Sequence, residues 1–175
     1  FEMAEKERIR ELALKKIMVL DGATGTELQK RGMPSGVSPE IWACENREVQ
    51  KSIHKSYVEA GSDIIYTCTF GANYYKLLQY GRSDVEKVNE QLAALAKEAA
   101  RGRAFVAGDI GPCGHFIEPF GEISFNDAVA AFRRQVKGLL SGGADLFVIE
   151  TQLDIQEARA ALIAVRELTD AFTIV

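Results

Sequence analysis

Two eleven-residue stretches of this chain, EAGSDIIYTCT (59–69) and SGGADLFVIET (141–151), follow one plan. Each passes from glycine through a small residue and an aspartate into an apolar run that closes on threonine. Glycine supplies the left-handed stop of a helix, and a strand follows at once. A chain that repeats helix-stop, aspartate, strand is built from βα units, and that restricts its fold more than any other feature.

Apolar runs rich in β-branched and aromatic residues predict strands at 17–21 (IMVLD), 63–69 (DIIYTCT), 104–109 (AFVAGD), 146–150 (LFVIE) and 172–175 (FTIV). The intervening segments carry helical stripes. These are Ile53, Tyr57 and Ala60; Val88, Leu92, Leu95 and Ala99; Val129, Phe132, Val136 and Leu139; and Ala158, Leu162, Val165 and Leu168. Helix starts are marked at Ser83…Glu86, Ser124…Asp127 and Asp154…Glu157, of which only the first is a strict capping box. Residues 1–16, FEMAEKERIRELALKK, read as a charged amphipathic helix; Phe1 and Glu2 precede the first methionine and are compatible with an appended, vector-derived pair.

Strands alternating with helices imply a parallel sheet, either a (β/α)₈ TIM barrel or an open doubly wound sheet. The dinucleotide fingerprint is missing after the first strand, where DGATGTE has the wrong spacing and opens no obvious helix; the phosphate-binding P-loop pattern is missing too. The strand ends favour the barrel. They carry Asp21-Gly22, Thr67-Cys68-Thr69, Asp109-Ile110-Gly111-Pro112 and Glu150-Thr151, and barrel enzymes assemble their sites at the carboxyl ends of their strands. A whole barrel takes about 250 residues. Residues 17–175 are expected to supply strands 1–4 and the start of strand 5, the N-terminal half of an α/β barrel, with an unpaired edge on each side.

A content of 47% hydrophobic and 26% charged residues fits a folded, water-facing domain. The net charge of −4 gives no general attraction to nucleic acid or to an anionic membrane. No apolar run approaches the ~20 residues that span a bilayer, and three widely spaced cysteines do not form a disulfide framework, so a reducing cytoplasm is expected.

Asp21 and Glu150 are the acids best placed for chemistry. They can hold a substrate ammonium, act as an acid/base pair or ligate a hard metal; their structural alternative is to cap loops or pair with arginines. Asp109, before Gly-Pro, reads as a turn-shaping residue. Cys44, Cys68 and Cys113 lack C-x-x-C spacing and read as small buried groups rather than zinc ligands. His54 shares helical spacing with Tyr57 and reads as packing or surface, whereas His115 lies in a Gly/Pro/aromatic loop suited to a lid. Tyr74, Tyr75 and Tyr80 read as structural.

The stretches VLDGATGTELQKRG (19–32), YVEAGSDIIYTCTFGANYYKLLQYG (57–81), GDIGPCG (108–114) and VIETQLDIQEARAAL (148–162) together resemble the homocysteine S-methyltransferase family, closest to the homocysteine-binding module of its cobalamin-dependent branch. The resemblance implies a (β/α)₈ barrel that moves a methyl group to the thiol of homocysteine, giving methionine, with zinc at its carboxyl face. It also implies methylcobalamin and 5-methyltetrahydrofolate if the protein is of the cobalamin type. By carry-over, Asp21 and Glu150 hold the substrate ammonium, and backbone amides around Gly22, Ala23 and Thr24 and near Thr69 take its carboxylate. The family commonly reads Thr-Asn-Thr-Phe where this chain has Thr67-Cys68-Thr69-Phe70. Its zinc cysteines fall beyond Val175, so no catalytic or metal-binding residue is expected in this chain. The 175 residues alone are expected to be inactive without the remaining half of the barrel. Two alternatives stand beside this reading: another TIM-barrel enzyme using Asp21 and Glu150 as acid and base, and a non-catalytic half-barrel that binds a small amino acid.

Overall fold

The alternation of apolar runs and helical stripes is realised as four parallel strands linked by helices. The computed structural model describes residues 5–175. In chain order the elements are α1 (Glu5–Lys15), α2 (Gly25–Lys30), α3 (Pro39–Glu45), α4 (Arg47–Ala60), β1 (Ile64–Tyr66), α5 (Tyr74–Leu78), α6 (Val85–Ala100), β2 (Phe105–Ile110), α7 (Phe125–Ser141), β3 (Leu146–Ile149), α8 (Ile155–Leu168) and β4 (Phe172–Ile174). The N-terminal helix is seen from Glu5; Phe1 and Glu2, and with them the expectation of an appended pair, lie outside the described residues.

The sheet runs β1-β2-β3-β4, every pair parallel. A doubly wound sheet reverses its order at a switch point; a barrel adds each strand beside the last. This order is an arc of a barrel. Register sets the two faces. Ile64, Phe105, Ala107, Leu146 and Val148 line the concave face, where α1 covers them with Ile9 and Leu12. Ile65 and Val106 on the convex face pack against α4 and α6, and Phe147 and Ile149 against α7 and α8.

The repeated aspartate does the same work in both units. Asp63 accepts the Val19 amide at 3.0 Å and Asp145 the Val106 amide at 2.8 Å, so each clamps the start of its strand to the preceding one. Lys16 and Lys97 pair with the two carboxylates. Gly61 (φ 98°) and Gly143 (φ 88°) make the left-handed stops just ahead of them.

Three details differ from the sequence reading. The strand over 17–21 is reduced to one parallel bridge, Leu20 to Ile64, because a single neighbour pairs it; Ile17 and Val19 stay 90% and 54% exposed. The corner after Asp21 does open a helix, the six-residue α2, too short to show a hydrophobic period. The box at Ser83…Glu86 does not form: Asp84 is the N-cap residue, Arg82 takes its carboxylate, and Arg134 from α7 takes Glu86 at 2.7 Å. Ser124 caps α7 as its spacing predicts, accepting from the Asp127 amide, and Asp154 caps α8.

Candidate functional site

The concave face becomes polar where the strands end, and four consecutive strand positions contribute. Residues 17–21 supply Asp21, β1 supplies Tyr66, β2 supplies Asp109, and Glu150 follows β3. Ile64, Ala107 and Val148 stand one step earlier on the same face, so alternation carries the next inward positions to these polar groups.

Asp21 is partly buried and accepts the Tyr66 amide on Oδ2 at 3.1 Å, while Oδ1 is buried without a partner. Burial, reinforced by the Glu150 charge, pushes its carboxyl up to about 7 against the two backbone hydrogen bonds that favour ionisation. Tyr66 is pushed up to about 12 by burial and by Glu150, Asp109 and Asp21, so it stays a neutral phenol. Asp109 is 4% exposed, its Oδ1 is likewise orphaned, and burial followed by Glu150 raises it well above the usual carboxylate range. It is not a turn former. It sits inside β2, its amide donating to Thr67 Oγ1 and its carbonyl accepting from Thr69 Oγ1 at 2.8 Å.

The structure brings Asp21 and Glu150 together and adds Tyr66 and Asp109, neither of which was singled out for the site from the sequence. Counting by twos from Ile64 and from Phe105 would have found both, but continuous apolar runs hide that alternation. Gly22 and Ala23 form an open rim beside Asp21, and Thr24 is the N-cap residue of α2 without a side-chain cap bond. Tyr57 supports this rim: its hydroxyl donates to the Ala23 carbonyl at 2.9 Å, and a Cβ on Gly22 would lie 3.0 Å from the same oxygen. Thr69 lies behind the site, fully buried, its hydroxyl shared between Thr67 and the Asp109 carbonyl. Cys68 takes φ 59°, where asparagine is more at ease than most residues, so the asparagine common in the resembling family fits a backbone requirement.

The cysteines do not fit a zinc site. Cys44 and Cys68 pack in the core beneath α3, α4 and α6, and Cys113 packs in a separate core against α7 and α8. Burial pushes Cys44 up to about 11 and Cys113 up to about 12, and raises Cys68 well above the usual thiol range, so none is a ready thiolate. Among the described residues no group of three His, Cys, Asp or Glu has metal-holding geometry. His54 is buried and faces Gln50 at 2.9 Å, and exposed His115 lies 5.5 Å from the Tyr75 ring. Tyr74 and Tyr75 begin α5 and pack edge to face, while Tyr80 is half exposed beyond its end.

Comparison with known proteins agrees with this fold. The family profile described as homocysteine S-methyltransferase matches residues 18–175. Methionine synthase of Mycobacterium tuberculosis (strain ATCC 25618 / H37Rv) is 30% identical over 164 residues, covering 86% of this chain and 14% of that protein. The crystal structure of the homocysteine methyltransferase MmuM from Escherichia coli in its metallated form superposes with a TM-score of 0.82 at 25% identity, covering 94% of this chain and 64% of that one. The oxidized form gives 0.83 at 26%, with 94% and 63% covered. The chain therefore spans less than two thirds of either relative, and the arc is the first part of a (β/α)₈ barrel. Profile, superposition and strand order all point one way: the chain belongs to the homocysteine S-methyltransferase family.

Proposed function

We propose that this chain forms the substrate-holding part of an enzyme that transfers a methyl group to the thiol of homocysteine, giving methionine. The observation that carries the proposal is Asp21, one oxygen buried and unpartnered, with the Glu150 charge acting on it from the neighbouring strand ends. An ammonium placed between them would satisfy that oxygen and balance charge that no lysine or arginine ion pair balances among the described residues. Backbone amides of Gly22, Ala23 and Thr24, with those near Thr69, would hold the substrate carboxylate. Tyr66, a neutral phenol, would present a donor to the acids rather than a further negative charge.

Zinc, which lowers the pKa of a bound thiol, belongs in this proposal to ligands outside residues 1–175. The donor is proposed to be methylcobalamin recharged by 5-methyltetrahydrofolate, on the resemblance to the cobalamin-dependent branch and the likeness to a methionine synthase. The 175 residues alone would be inactive, needing the remaining barrel, whose place is suggested by exposed Ile17, Val19, Ile174 and Val175 along the sheet edges. None of the helices is long and apolar enough to cross a membrane among the described residues; we place the enzyme in the cytoplasm.

The test is methionine formation from homocysteine and methylcobalamin by the intact protein, with Asp21→Asn and Glu150→Gln beside it. Methionine should form with the parent and fall at least about tenfold in either variant. An Asp21 carboxyl near 7 also suits a general acid or base, as in a lyase or glycosidase. Turnover of a sugar or carboxylic-acid substrate with no methyl transfer would favour that second reading. Methyl transfer by residues 1–175 alone would overturn the need for the remaining barrel.

A further inference from the structure

Gln135 of α7 is fully buried, and its side chain joins two strand ends. Its Nε2 donates to the Thr69 carbonyl at 2.8 Å and to the Asp109 carbonyl at 3.3 Å. Its Oε1 is buried with no partner. A buried acceptor left unpaired is destabilising, and an apolar side chain of the same length would fill the space without it. Packing alone therefore does not account for a glutamine here.

Neither carbonyl depends on Gln135 for a partner. That of Thr69 also accepts the Ala72 amide at 2.9 Å, and that of Asp109 also accepts from Thr69 Oγ1 at 2.8 Å. What the glutamine adds is direction. The carbonyl and the N–H of one trans peptide point opposite ways. The Thr69 carbonyl points toward α7, on the convex side of the sheet. The N–H of the same peptide, which belongs to Phe70, points away from α7 and toward the strand-end face. This amide has no acceptor among the described residues. The next peptide is pinned at both ends: the Phe70 carbonyl accepts the Gly111 amide at 3.2 Å, and the Gly71 amide donates to Glu40 Oε1 at 2.6 Å. Two successive peptides after β1 are thus held in fixed planes, and only the Phe70 N–H is left to bind something else.

We propose that Gln135 is a positioning residue that aims the Phe70 amide at the carboxylate of the substrate. This rests on the reading of the chain as the substrate-holding part, with amides near Thr69 taking that carboxylate. The two N–H groups of the glutamine tie the loop after β1 to the end of β2. The Phe70 donor is then fixed in direction before substrate arrives, and binding is not opposed by reorienting the peptide.

The test combines nitrogen-15 NMR of phenylalanine-labelled intact protein with homocysteine calorimetry, the Phe70 signal being assigned by its loss in Phe70→Tyr. L-homocysteine should move the Phe70 amide signal, and 3-aminopropane-1-thiol, which lacks the carboxylate, should leave it in place. Gln135→Met keeps the length and removes the donors. It should unfold in urea close to the parent, because both carbonyls keep a partner, yet bind homocysteine at least about fivefold more weakly. Parent-like affinity in Gln135→Met overturns the proposal, as does an equal Phe70 shift with the thiol that lacks the carboxylate. If Gln135→Met does not fold, the Phe70 signal of the parent decides alone. Saturable homocysteine binding with an unmoved Phe70 amide refutes this proposal and leaves the substrate reading standing; absence of binding in the folded parent refutes both.

Discussion

Asp63 and Asp145 occupy the same place in successive βα units, each accepting the amide of a residue on the preceding strand while pairing with a lysine. One position thus closes the strand start, satisfies a backbone donor and orients a cation. Their likeness makes residues 17–21 stand to β1 as β2 stands to β3, although 17–21 forms only one bridge. Asp145 is the more enclosed, its side chain 10% exposed against 21% for Asp63. Asp145→Ala should therefore lower stability by about 1–3 kcal/mol, since the Val106 amide loses its partner. Lys97→Ala should cost under about 1 kcal/mol, because the lysine side chain is 40% exposed. Urea unfolding of both variants checks the order.

Asp21 gives a pH signature with a definite sign. Its folded carboxyl sits at about 7 against an ordinary 3.8, so between those values the native state keeps a proton that the unfolded chain has lost. Its contribution is full below 3.8, falls as pH rises toward 7 and is flat above. Asp21→Asn should remove that slope and gain stability near pH 8, on the order of 2–4 kcal/mol at most. In the parent, affinity for an amino-acid ammonium should rise through pH 7 as Asp21 ionises, and Asp21→Asn should flatten that rise. Urea unfolding and methionine calorimetry from pH 5 to 8 read the two effects.

Gly22 and Tyr57 define the rim. A Cβ at position 22 would meet the Tyr57 hydroxyl at 3.0 Å and its ring carbon at 3.2 Å. Gly22→Val should displace the tyrosine and weaken homocysteine binding severalfold, while Tyr57→Phe should cost about 1 kcal/mol through the lost bond to the Ala23 carbonyl. Calorimetry separates them: the first variant acts chiefly on binding, the second on stability.

Cys68 is held at φ 59° and is 7% exposed. A β-branched side chain is strained there, so Cys68→Val should destabilise by about 1–3 kcal/mol relative to Cys68→Ala despite its similar bulk to cysteine. Thermal unfolding of the pair is the measurement.

Much of this was legible in the chain. The glycine-aspartate echo gives the unit, the polar strand ends give the face, and Asp21 and Glu150 meet there. What escaped is local competition and alternation. Glu86 matches a capping box, yet Arg134, forty-eight residues on, takes it. Asp109 sits before Gly-Pro and looks like a turn, yet pairing with β3 extends β2 to Ile110 and turns the carboxyl inward. Tyr66 is hidden in a run that reads as uniformly apolar, and only the register with Ala107 shows which face it takes. The six residues of α2 hold too few turns to declare themselves.

The central claim is that Asp21 and Glu150 clamp the ammonium of homocysteine. Titration calorimetry of L-homocysteine at pH 7.5 into the intact protein, beside Glu150→Gln, tests it most directly. The account predicts saturable binding by the parent and affinity at least about tenfold lower in the variant. Equal affinity in both, or no binding by a folded parent, would contradict it.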